Sequence, residues 1–211
     1  MNDVSSDTRF TALHAHYNDT FANIKESIRL RDKLTALILL VLVFLALYTF
    51  WPSDAITAFS EISTQRLGFS VDVDVGFLGS IIWFALLGIV VRYTQVVVYI
   101  ERQYKYIHKV EEELHEHFEN GVAFTREGKS YLKDYPKFSD WIWILYTVIF
   151  PFTLGIIVLV KIISEWAIFF RAISVFLLLN TAIAFAILIS IILYMLFIHR
   201  QNSYNNQSHE K

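Results

Sequence analysis

The chain has 211 residues, 55% of them hydrophobic and only 18% charged, and its mean hydropathy is positive. So apolar a composition excludes an ordinary soluble domain of this size, and the lack of cysteine excludes disulfides and thiolate-held metals. The formal charge of −2 hides a segregation of lysine and arginine along the chain, and that segregation sets the topology.

Residues 1–33 place Phe10, Leu13, Tyr17, Phe21, Ile24 and Ile28 at steps of three and four. This is one apolar stripe on a helix with no break before the apolar run that follows. Residues 34–51, "LTALILLVLVFLALYTFW", carry no charge and end at Pro52-Ser53-Asp54, a helix stop and a fresh N-cap, which predicts span one. A cleaved signal peptide would put a shorter apolar region nearer the start, so a retained anchor is expected. Residues 52–75 are an outer loop in which Ile56, Phe59 and Ile62 are spaced for a short interfacial helix. Span two, residues 76–100, opens with "GFLGSIIWFALLGIVV" and is then interrupted by Arg92.

Beyond span two, Ile100, Tyr104, Ile107, Val110, Leu114 and Phe118 repeat the helical spacing until Asn120-Gly121 stops it. Residues 101–140 therefore hold a cytoplasmic helix and a return segment. In that segment Tyr131, Tyr135, Phe138, Trp141 and Trp143 stand beside Lys129, Lys133 and Lys137 as an interfacial belt. Span three, residues 141–163, has Pro151 near its middle. Span four covers 172–198, and 199–211 are a tail. Both are long enough to cross ~30 Å at ~1.5 Å per residue.

Lysine and arginine choose the sides. The N-terminal arm holds Arg9, Lys25, Arg29, Arg31 and Lys33, and the connection between spans two and three holds Arg102, Lys105, Lys109, Arg126, Lys129, Lys133 and Lys137. The other two connections hold only Arg66, Lys161 and Arg171, and the first of them adds Asp54, Glu61, Asp72 and Asp74. The expected fold is all-α: a four-span helical membrane protein with both termini cytoplasmic and amphipathic cytoplasmic extensions of spans one and two. Those extensions either bury their stripes on each other as an antiparallel pair, or pack on a neighbouring subunit or the lipid surface.

Candidate chemistry is sparse. His108, Glu112 and His115 share one helical face and are weak metal-ligand candidates. A solvated charged face explains them better, so neither a metal nor any other cofactor is expected. No nucleophile, acid and base constellation or phosphate loop occurs, which argues against an enzyme. Asn180 and Thr181 in span four are expected to act as interhelical glue, and Ala182, Ala186 and Ser190 suggest a close helix contact.

Arg92 is costlier, at ~2.5–3.5 kcal/mol for an arginine at the centre of an inserted helix. It lies ~6 Å inside the inner edge if span two ends near Val96, or ~13 Å if it ends at Glu101. Counting depth from each span's end brings Tyr146, Thr147 and Ser190 to its level, and Pro151 cannot donate to the Thr147 carbonyl. With no acid expected in spans three and four, Arg92, Tyr146, Thr147, Pro151 and Ser190 form a candidate polar focus within the membrane. The alternative is an interfacial arginine on a lipid phosphate.

The segments "YNDTFANIKESIRLRDKLTALILLVLVF" and "FTREGKSYLKDYPKFSDWIWILYTVIFPF", with the charged helix between spans two and three, resemble the small membrane effectors of bacterial antiphage systems. The membrane proteins encoded beside retron reverse transcriptases come nearest; SLATT effectors and the membrane subunit of Kiwa are similar more loosely. The resemblance implies an inner-membrane effector that partner components hold silent and infection releases, so that membrane damage kills the cell before phage emerges. It further implies a cytoplasmic protein or ribonucleoprotein partner; the stripe Ile100, Tyr104, Ile107, Val110, Leu114 and Phe118 is the candidate cytoplasmic interaction surface, on which a scaffold would dock a soluble effector. Permeabilisation by so apolar a chain calls for homo-oligomers in the bilayer. Direct nucleic-acid binding is not expected. A scaffold docking a soluble effector, or a small transporter, are the rival functions.

Overall fold

A computed structural model describes residues 6–67, 75–115, 137–169 and 173–209, and all regular structure among them is helical. The helices are α1 (Ser6–Phe50), α2 (Pro52–Leu67), α3 (Val75–His115), α4 (Lys137–Ile144), a π-helical turn (Leu145–Ile149), α5 (Phe150–Phe169) and α6 (Val175–His209). Four stretches, Phe10–Phe50, Gly76–Glu111, Trp141–Ala167 and Val175–Arg200, are long and apolar enough to cross a membrane, the architecture of a multi-pass membrane protein.

Local chemistry explains the joints. The Trp51 N–H donates to the Leu47 carbonyl at 2.8 Å and the Trp51 carbonyl accepts from the Ala55 N–H at 3.0 Å, so α1 passes to α2 through one residue. Pro52 opens α2, a position where no N–H is needed and a fixed φ helps. Ahead of Pro151 the chain widens into the π turn, a local answer to an amide that cannot donate.

Two helices run further than the sequence implied. Span three is expected to end at 163; the helix α5 continues to Phe169 and so holds Glu165 one turn after Lys161. Glu165, two residues past the expected end of span three, is therefore an acid on the same helix as that span. The tail is helical as well, because α6 continues to His209.

The chain divides into two compact units. The first comprises Met1–Asp32 and Gln95–Ile149. Within it the early turns of α1 lie against the late turns of α3: the Tyr17 hydroxyl donates to Glu111 Oε1 at 3.1 Å and His16 Nε2 pairs with the Tyr106 hydroxyl at 2.7 Å. Ile24, Ile100, Ile107, Val110 and Leu114 are buried there. The second unit comprises Lys33–Thr94 and Phe150–Lys211. Its core is formed by Ile38, Leu45, Trp83, Leu86, Val90, Leu154, Val158, Ala184, Ile187 and Ile191. Phe84, Phe152, Val160, Phe185 and Leu193 are exposed, as lipid-facing side chains should be.

Candidate functional site

A helix surrounded by hydrocarbon satisfies its own backbone, so each polar side chain it carries needs a partner from another helix. In the second unit five such side chains meet near the end of α5. Asn180 on α6 is the hub. Its side-chain oxygen accepts from the Ser80 hydroxyl at 2.7 Å, and its side-chain nitrogen donates to Glu165 Oε2 at 3.1 Å. Trp83 on α3 donates its indole N–H to Glu165 Oε1 at 3.0 Å, and the Lys161 ammonium lies 3.0 Å from the same oxygen. Ser80, Trp83, Glu165 and Asn180 are all buried.

The carboxylate thus receives three donors, one of which, the Lys161 ammonium, is also its opposite charge. That is the condition under which an ion pair survives outside water, since desolvation costs several kcal/mol per ion. Lys161 also lies 5.6 Å from the centre of the Tyr48 ring, which adds an attractive face for the cation. Tyr48 reaches this place because Gly79 leaves room: a Cβ there would fall 2.6 Å from the Tyr48 hydroxyl. One residue on, Trp166 donates its indole N–H to the Thr181 hydroxyl at 3.0 Å, and Thr181 donates in turn to the Leu177 carbonyl at 2.7 Å.

Ser80 and Asn180 lie five residues inside the starts of α3 and α6, and Glu165 four inside the end of α5. At ~1.5 Å per residue that is ~6–8 Å from the helix ends, well short of a bilayer midplane ~15 Å in. The arrangement ties three helices together at one end. Its buried charges mark the costliest, and so the most function-suspect, point of the bundle.

The residues singled out from sequence fall as follows. Arg92 is exposed on α3, and among the described residues it makes no hydrogen bond or ion pair. Pro151 is buried, and the Ser190 hydroxyl, half-buried, donates back to the Ala186 carbonyl at 2.8 Å. In the first unit Thr147 is buried in the π turn, and the cation over the Tyr146 ring is Arg31, 4.4 Å from its centre. Asn180 and Thr181 both bond to other helices. Ala182 is exposed and Ala186 only half-buried; Ala184, Ile187 and Ile191 are the buried residues of α6 there, and a Cβ added at Gly155 of α5 would come within 3.9 Å of the Ile191 side chain.

The stripe residues Ile100, Ile107, Val110 and Leu114 are buried within the first unit and Tyr104 is half-buried; Phe118 lies outside the described residues. Of the weak metal candidates, His108 is half-buried, and the side chains of Glu112 and His115 lie outside the described ones. No group of three possible ligands occurs among the described residues.

Sequence reasoning missed Lys161, Glu165, Ser80 and Trp83. The available signal was a lysine and a glutamate four apart in "VKIISEWAIFF", followed by a tryptophan and further apolar residues, which places one turn of charge inside a helix that has not ended. The chain matches no protein-family model, no curated protein and no solved structure.

Proposed function

We propose that the protein is a non-enzymatic effector of the bacterial inner membrane that permeabilises or depolarises the bilayer when cytoplasmic partners release it. The observation that carries this reading is the buried network of Ser80, Trp83, Lys161, Glu165 and Asn180. Closed, it clasps three apolar helices. Opened, it supplies the polar side chains that a water path through such helices needs. Helices α1 and α3 each contribute to both units, so a partner acting on the polar first unit is covalently coupled to the apolar second one.

The receiving surface is then the solvated side of the paired helices rather than the stripe from Ile100 to Leu114, which the chain itself covers. A path wide enough for ions draws on several copies of the chain. The distribution of lysine and arginine supports both termini inside, and the resemblance to antiphage effectors supplies the rest of the setting: a protein or ribonucleoprotein partner, and cell death before phage release.

A membrane-potential dye tests the proposal in bacteria expressing the chain without partners. Collapse of the potential within minutes is expected. The double variant Lys161→Met with Glu165→Leu, inserted to the same level, should leave the potential intact. An undisturbed potential with the unaltered chain overturns the proposal and favours a scaffold. A small transporter gains one supporting observation, because Glu165 is a membrane carboxylate of the kind that proton coupling uses. Its place near the helix ends, away from the midplane where transporter sites lie, argues for the effector.

A further inference from the structure

In the second unit the buried face of α3 is set by Trp83, Leu86, Val90 and Tyr93, each 1% exposed or less. Arg92 falls on the opposite face, with Phe84, Ala85 and Gly88, all exposed. Positions 85, 88 and 92 follow at steps of three and four, so they form one strip along the helix. No acid stands three or four residues from Arg92 on its own helix, and among the described residues no ion pair or hydrogen bond engages it. A guanidinium does not lose its charge in proteins, so on a lipid-facing surface it must find an anion.

The strip also has a shelf. A Cβ at Gly88 would meet nothing within 4 Å, so the helix surface one turn before Arg92 is open. We infer that Arg92 binds the phosphate of an anionic phospholipid, whose acyl chain lies along Gly88, Ala85 and Phe84. The planar guanidinium offers two parallel N–H donors to phosphate oxygens, and the bare glycine lets the chain below the headgroup approach the helix closely. A second parallel copy on the same strip would bring Arg92 against its own counterpart at equal depth, a like-charge contact that disfavours it. The inference needs the membrane location but not the permeabilising activity.

Native mass spectrometry of the full chain in detergent tests this. The chain is titrated separately with phosphatidylglycerol and with phosphatidylcholine of the same acyl chains, and then challenged with inorganic phosphate. The unaltered chain should hold one phosphatidylglycerol about tenfold more tightly than phosphatidylcholine. Arg92→Gln should erase the preference, Arg92→Lys should keep part of it, and Arg102→Gln should leave it unchanged. Equal retention of the two lipids by the unaltered chain overturns the inference whatever the variants do to folding. So does a preference that survives Arg92→Gln, displacement of the lipid by equimolar inorganic phosphate, or a dimer that Arg92→Gln abolishes.

Discussion

Removing the Glu165 side chain asks the most of the structure. In Glu165→Ala the Lys161 ammonium loses a carboxylate 3.0 Å away, and the Trp83 and Asn180 N–H groups lose acceptors at 3.0 and 3.1 Å. Both charged side chains are close to fully enclosed, 11% and 7% exposed, so water replaces little of what is lost. Breaking one side of a buried pair costs about 3–5 kcal/mol, and each orphaned donor about 1–3 kcal/mol. The Tyr48 ring face returns about 1 kcal/mol to the cation. Neighbouring groups relax, so about 4 kcal/mol is expected, or a fall of on the order of 10 °C in apparent melting temperature.

The double variant Lys161→Met with Glu165→Leu should recover most of that, because an apolar pair of similar volume leaves no stranded charge. Thermal unfolding in detergent, followed by helical circular dichroism, measures both. A loss under about 1 kcal/mol for Glu165→Ala, or a double variant no more stable than the single one, would refute the claim that the pair is buried and mutually dependent.

Other outcomes follow from the same contacts. Asn180→Leu should cost less than Glu165→Ala, about 1 kcal/mol by the same unfolding assay, since interhelical hydrogen bonds in membranes average well under that of a stranded charge. Gly79→Ala should destabilise by about 1 kcal/mol by displacing the Tyr48 ring, and Tyr48→Leu in that background should relieve it. In the first unit Tyr17→Phe removes a donor from the buried Glu111 carboxylate and should cost about 1–2 kcal/mol. Tyr106→Phe, at an exposed bond to His16, should stay within about 0.5 kcal/mol. Reporters fused to each end should both read cytoplasmic; a periplasmic carboxyl-terminal reporter would reverse the orientation drawn from the cations.

The existence of the apolar helices was legible because ~20 apolar residues in a row is a local property that no tertiary contact has to supply. The pairing partners of Glu165 were not. Trp83 and Glu165 are 82 positions apart and Ser80 and Asn180 are 100 apart, and no local pattern joins them. Charges at the edge of an apolar run resemble its end in sequence, although a charge that finds a partner does not stop a helix. Arg92 shows a different blindness. Around it Val90, Val91, Val96 and Val97 mix with Tyr93, Thr94 and Gln95 without a helical period, so the sequence offers little contrast between the face turned inward and the face turned to lipid, and depth alone grouped it with Tyr146. In the amphipathic early turns of α1 and late turns of α3 the contrast exists, and there the buried residues Ile24, Ile100, Ile107, Val110 and Leu114 are the ones the periodicity picks out.

The bonds Asn180→Glu165 and Trp166→Thr181 each close a loop of fifteen residues between neighbouring helices. With Lys161 on the same helix as Glu165, the hairpin of α5 and α6 can leave the insertion machinery already neutralised. It carries its own counter-ion and hydrogen-bond partner into the bilayer, and α3, inserted earlier, has only to add Trp83 and Ser80. The charges that burden the finished bundle thus need not obstruct its assembly.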